Sequence, residues 1–246
     1  MKRVLLALFF GLFAFNAPVI ANDKATLDIG GSKININAPD DFYDLSKFSP
    51  DVYNLFKGFL KNDMTELQSM YIYVDDYRKI KARLEPDLSI NMMIHSPKNL
   101  MKIKTSKKLF KIHKDSIKKS MLKDNYKDIE LEVNKIRDRM TDSLNNEFSN
   151  KGKVTDAYIK MPSGVLREKF IDNEQAMAHI DLANIKVGDN ANDLNKKIST
   201  ITSSIVLLVN HRVIYMYLTK PFENLDDIIW VKKQSKKWVQ SILDRN

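Results

Sequence analysis

The sequence predicts an α+β fold: a mainly antiparallel sheet with covering helices, a two-helix insertion and a C-terminal helix. Three observations predict it. Short segments in which apolar and polar residues alternate occur in both outer thirds of the chain, and strands adjacent in sequence tend to pair antiparallel. The middle third carries apolar residues at helical spacing instead. The last twenty residues form an amphipathic helix that ends in no further strand signal.

Taken in order, the chain opens on Lys2 and Arg3, then an apolar run over residues 4–15, then Asn16, Pro18 and the small-residue ending Val19-Ile20-Ala21. A basic start, a short apolar stretch and a Val-x-Ala ending form a secretory signal peptide, residues 1–21. A retained anchor is the competing reading, since 18 residues is the lower edge of a spanning helix. Asn16 and Pro18 interrupt it. The expectation is cleavage after Ala21, a mature chain 22–246 folded as a single α+β domain, no transmembrane segment after signal removal, and a periplasmic or secreted location. The chain has no cysteine. That removes disulfides, thiol nucleophiles, thiolate metal sites and a lipid anchor on Cys; an oxidising compartment permits disulfides without requiring them.

Thr26-Leu27-Asp28-Ile29 and Lys33-Ile34-Asn35-Ile36-Asn37 flank a Gly30-Gly31 turn as a hairpin. Ser49 caps a short helix with Pro50 at its first position, and Val52, Leu55, Phe56 and Phe59 give it one apolar side. Residues 67–74 and 88–94 read as strands. Helices follow over residues 106–123, with Phe110, Ile117 and Met121 on one side, and along the stripe Ile129, Val133, Ile136, Met140 and Leu144. Together they form an insertion at about 98–150. Strands return at 165–171, 176–187, 198–209 and 212–218, the last two joined by Asn210-His211. A two-residue turn needs positive φ, which Asn tolerates. Asn224 caps the closing helix, and Asp226 and Asp227 sit at its positive end.

The hairpin running into Ile36-Asn37-Ala38-Pro39-Asp40-Asp41-Phe42, the closing strand meander and the Trp-bearing last helix resemble uncharacterised secreted bacterial proteins with a PsbP-like α/β/α layout. The resemblance covers the two outer thirds and rests on packing features. It implies a sandwich fold and a non-catalytic binding or assembly module, and it brings no functional residue with it.

Motifs for chemistry are sparse. His95, His113, His179 and His211 lie too far apart in sequence for a helical zinc pair. No phosphate loop, dinucleotide fingerprint or nucleophile elbow is present. The pairs Asp40-Asp41, Asp75-Asp76 and Asp226-Asp227 fit a turn, a strand end and a helix start. The acidic loop 189–193 breaks calcium spacing at Ala191. No catalytic residue, metal or cofactor is therefore assigned. Tyr71/Tyr73 and Tyr215/Tyr217 each share one sheet face, as core or as an aromatic groove. Trp230 and Trp238 stand about 80° apart on their helix, which predicts different faces.

Charge is the functional lead. Residues 98–123 hold ten lysines against one acid, Asp115, so this segment alone matches the +9 of the whole chain. Lys107, Lys111, Lys114 and Lys118 step by 4, 3 and 4 and stack on one helical face, read as opposite the apolar one. A solvated face is the plain explanation. The functional one is docking to an anionic surface: anionic lipid, lipopolysaccharide or an acidic protein partner, and not nucleic acid. Lysines without arginine suit diffuse attraction better than bidentate phosphate recognition. The resulting expectation is an exported, non-catalytic binding or assembly protein of the bacterial envelope. The competing expectation is an envelope hydrolase whose carboxylate or histidine site no motif marks.

Overall fold

The computed structural model describes residues 24–84, 86–121, 158–160, 166–188 and 196–246, with Lys135 and Asp138 as two further helical positions. The leader at 1–21, the stripe from Ile129 to Leu144 and the acidic loop 189–193 lie outside the described residues.

Strands β1 (Lys24–Ile29) and β2 (Ser32–Asn37) form the expected hairpin. Gly30 and Gly31 turn it, with φ of 57° and 80°, values that glycine reaches without a steric penalty. The main sheet contains β3 (Phe42–Asp44), β4 (Thr65–Tyr73), β5 (Asn91–Pro97), β6 (Tyr158–Lys160), β7 (Leu166–Asp172), β8 (Ala176–Gly188), β9 (Lys196–Val209) and β10 (Arg212–Pro221). It runs β3-β4-β5-β10-β9-β8, with β6 and β7 both paired to the far side of β8, and every pairing is antiparallel. The fold is thus α+β with mostly antiparallel strands. The β5–β10 pairing joins the two outer parts of the sequence into one sheet, with His95 opposite Tyr215. Asn210 and His211 take positive φ, as a tight β9–β10 turn requires.

Five helices are described: α1 (Leu45–Phe48), α2 (Pro50–Phe59), α3 (Val74–Lys81), α4 (Lys107–Met121) and α5 (Leu225–Leu243). Sequence patterning missed α1 and α3, whose four and eight residues are too few to repeat an apolar stripe over several turns. Asp75 and Asp76 therefore belong to the first turn of α3, not to a strand end. The buried Asp76 carboxylate accepts from the Asp87 and Leu88 backbone N–H groups at 2.7 and 3.0 Å, pinning the loop into β5.

Alternation gives the sheet two faces. One carries Ala178, Ile180, Ile205, Leu207, Ile214, Met216, Met92 and Ile94 and packs against Val231, Trp238, Val239 and Ile242 of α5. Asn224 and Asp227 cap that helix reciprocally. Trp238 meets Tyr71 edge-on at 6.1 Å, and Trp230 meets Tyr73 at the same distance. Both tryptophans face the sheet, because an apolar stripe wider than 100° accommodates an 80° offset. Tyr71 is a core residue on this face, and half-buried Tyr73 packs against its edge.

The β1–β2 hairpin is clamped to the sheet by buried Arg212. Its guanidinium donates to the Ile29 carbonyl at 3.1 Å and the Gly30 carbonyl at 2.6 Å. The backbone at Met101 lies directly against Gly30, and Thr105 donates its N–H to the His211 carbonyl. The segment leading into α4 is thereby wedged between two turns.

Candidate functional site: a basic helix beside a polar sheet face

The second sheet face has two covers. Leu45 and Val52 of α1 and α2, with Tyr77 of α3, pack on Met70 and Ile72 of β4. At the other end α4 sits on β8, β9 and β10. Ser106 caps α4, its hydroxyl accepting from the Leu109 N–H. Phe110, fully buried, and Ile117 seat the helix on Met177, Val206, Leu208 and Val213. His113 Nε2 and the Tyr215 hydroxyl lie 2.9 Å apart, tying the helix to β10. Burial lowers the His113 pKa and raises that of Tyr215.

The four lysines singled out from the sequence do not form an outward face. Lys114 is only 6% exposed; its ammonium donates to the Asp172 carboxylate at 3.0 Å and to the Asn173 carbonyl. Lys118 reaches Asp172 at 3.0 Å and Asp115 at 3.7 Å, and Lys107 reaches Glu174 at 2.6 Å. Lys169 completes the ring around Asp172. Burial alone would raise the Asp172 carboxyl; hydrogen bonds from Lys169, Lys118 and Lys114 instead hold it well below the usual carboxylate range. Of the four, Lys111 alone is exposed without an acidic partner among the described residues. The reason is angular. At 100° per residue the 107/111/114/118 row is centred only about 70° from the Phe110/Ile117/Met121 stripe, so it flanks the apolar seam and is not opposite to it.

The outward surface is a different set. Lys108, Ile112 and Lys119 point away from the sheet, with Lys111 and Leu109 at the margins, and Lys102, Ile103 and Lys104 precede the helix. Leu109 is 49% exposed, Ile112 58% and Ile103 46%. Lys102, Lys104, Lys108, Lys111 and Lys119 have no acidic partner among the described residues. Leu109 and Ile112 went unread in the sequence, although both fall outside the seam-forming stripe and so signal a second apolar edge.

Between the two covers the sheet face is polar. His95 is buried on β5 beside Thr65, 3.3 Å from its hydroxyl, and edge-on to Tyr217 at 5.6 Å. Burial pushes Tyr217 up to about 12 and lowers His95 to about 4. His179 Nε2 lies 3.0 Å from the Asp181 carboxylate, which also accepts from the Ser204 hydroxyl at 3.5 Å. The carboxylate stands between serine and imidazole, and buried His179 Nδ1 has no hydrogen-bond partner. A serine nucleophile needs its imidazole as nearest base, so this trio does not assemble that relay. Among the described residues no three potential ligands converge as a metal site requires, and no helix is long and apolar enough to cross a membrane.

A folded-state pKa near 4 for His95 against 6.5 for a free histidine makes a pH prediction. Folding excludes the proton, so its contribution is fully present above pH 6.5 and is lost as pH falls toward 4. Stability should drop by about 2 kcal/mol between pH 7 and pH 5 from this residue alone. Urea melts at both pH values check it. His95→Gln should remove most of the difference; an equal difference in that variant would assign the effect elsewhere.

No protein family model matches the chain, and no curated protein matches it. Solved structures with weak similarity include the following two. The Ran-binding protein Mog1p of Saccharomyces cerevisiae shares 8% identity over 92% of this chain and 94% of its own, with a TM-score of 0.34. The solution structure of cyanobacterial PsbP (CyanoP) from Synechocystis sp. PCC 6803 shares 12% identity over 94% of this chain and 96% of its own, with a TM-score of 0.33. The resemblance to PsbP read from the sequence is thus present in weak form.

Proposed function

We propose that the protein is an exported, non-catalytic binding or assembly protein of the bacterial envelope, periplasmic or secreted, that docks on an anionic lipid layer through the outer face of α4. One observation carries this reading: five exposed lysines without acidic partners among the described residues surround α4 and its lead-in segment, while buried Lys114 and half-buried Lys118 are neutralised by Asp172 and exposed Lys107 by Glu174. The attraction is therefore directed outward. Phosphate headgroups, of phospholipid or lipopolysaccharide, are the matching chemistry. Each lysine near such a surface contributes about 1 kcal/mol, screened within a Debye length of roughly 8–10 Å.

The test is co-sedimentation with phosphatidylglycerol-containing and pure phosphatidylcholine vesicles, with lipopolysaccharide as a separate arm. Binding should be confined to the anionic vesicles and should weaken steeply with salt. Glutamate in place of lysine at positions 102, 104, 108, 111 and 119 together should reduce it at least about 100-fold, with a melting temperature close to that of the parent chain. Absence of binding to vesicles and lipopolysaccharide alike would overturn the proposal; selective binding to an acidic protein would replace it.

A further inference from the structure

We infer that α4 does not merely hover over the headgroups but inserts Leu109 and Ile112, with Ile103 beside them, into the boundary between headgroups and acyl chains. This rests on the docking reading above and adds a mode of contact to it.

The argument starts from where apolar surface is left uncovered. Seven large apolar side chains are exposed among the described residues, and three of them fall within residues 103–112. Scattered exposed aliphatics need no explanation; a group placed among five unneutralised lysines does. Ile112 lies about 160° around the helix from Phe110, the residue that seats α4 on the sheet, and Leu109 lies about 60° from Ile112 on the same outer half. Lys108 and Lys111 stand beside them, and Lys119 continues the face two turns on. An apolar ridge rimmed by lysines is the pattern of a helix lying in an interface, its aliphatic groups dipping inward and its long cationic side chains reaching back to phosphates.

The shape of the surface selects the occupant. These side chains protrude from a convex helix. A protein partner would need a formed pocket for each protruding group, whereas a fluid lipid layer accommodates isolated protrusions without one. The lysines alone would give binding that vanishes at high salt; inserted aliphatic groups add a component that salt does not remove.

The absence of cysteine allows a clean test. Ile112→Cys carrying an environment-sensitive maleimide dye reports the outer face of α4, and Gln240→Cys, exposed on α5, serves as the control. With phosphatidylglycerol vesicles the dye at 112 should shift to shorter wavelength and the dye at 240 should not. Leu109→Ser with Ile112→Ser should lower vesicle affinity about tenfold at low salt and remove what binding persists at high salt. Both positions are exposed, so the double variant should melt as the parent does. Vesicle binding with no shift at 112, and with affinity unchanged in the serine variant, would overturn insertion while leaving electrostatic docking intact. No binding of the parent chain to anionic vesicles would overturn both.

Discussion

Replacing Lys107, Lys111, Lys114 and Lys118 together with glutamate should unfold the α4 end of the protein, not merely abolish its affinity for anions. Sequence alone presents these four as one exposed, expendable row. In the structure Lys114→Glu would place a second carboxylate in a site 6% exposed, against the Asp172 carboxylate that Lys114 now neutralises. Lys118→Glu would set another acid against Asp172, and Lys107→Glu would do the same to Glu174. Removing one partner of a fully buried ion pair costs about 3–5 kcal/mol; here Lys114 is buried and Asp172 partly exposed, so reversing the charge should cost on the order of 3 kcal/mol, a large share of the stability of an ordinary domain. Far-UV circular dichroism and a thermal melt should show loss of helix and a collapsed or much lower transition. The single changes separate the causes. Asp172→Ala should be severe because it strands a buried ammonium, while Lys114→Met should be mild because both the charge and its need for a partner disappear. A quadruple variant that melts like the parent would show that α4 is not held by these pairs.

The second large effect is expected at Gly30. A methyl group there would fall inside the backbone carbonyl of Met101, and the residue already sits at φ +57°. Neither backbone can yield alone, since Gly30 also offers its carbonyl to the Arg212 clamp and the Met101 segment is tethered at Thr105. Gly30→Ala should therefore cost about 2–4 kcal/mol, combining αL strain of roughly 1 kcal/mol with an overpacking penalty of about 1–3 kcal/mol. Gly31→Ala, with nothing within contact distance of the added carbon, should cost only the strain. Chemical denaturation of the two variants side by side checks the contrast; equal losses would mean that the close approach to Met101 carries no energy.

These two cases show what was legible in the sequence. Hairpins announced themselves because turn residues act locally: Gly30-Gly31 and Asn210-His211 take up the positive φ that a two-residue turn requires. The long helices were legible because their apolar rows repeat for several turns. Helices α1 and α3 were not, since four and eight residues gain their stability from tertiary contacts such as the stacked Tyr43–Tyr77 pair. The electrostatics failed for a different reason. Whether a lysine is solvated or buried depends on an acid that sequence does not place: Asp172 lies 58 residues beyond Lys114. Separation in sequence likewise hid the pairing of His113 with Tyr215, 102 residues apart. The exposed Leu109 and Ile112 were available to a helical projection and contradicted the single-stripe reading of that helix.

The β5–β10 seam bears on how the molecule reaches its fold. Strands β7 to β10 follow one another as a meander, so their pairings close short loops and can form within microseconds. The seam instead brings together residues about 120 positions apart, and that closure must be made before it is rewarded by packing. A domain with such distant pairings folds in milliseconds to seconds, and the seam is the step expected to set that rate. Loop-closure entropy grows only with the logarithm of length, about 0.6 kcal/mol for each doubling. The part of the β5–β6 connection beyond α4 can therefore lengthen or shorten at little entropic cost, whereas residues 101–117 are held through Met101, Thr105 and Phe110. Changes of length there leave the order of strand pairing unaltered, while changes within the docked segment reach the hairpin and the sheet together.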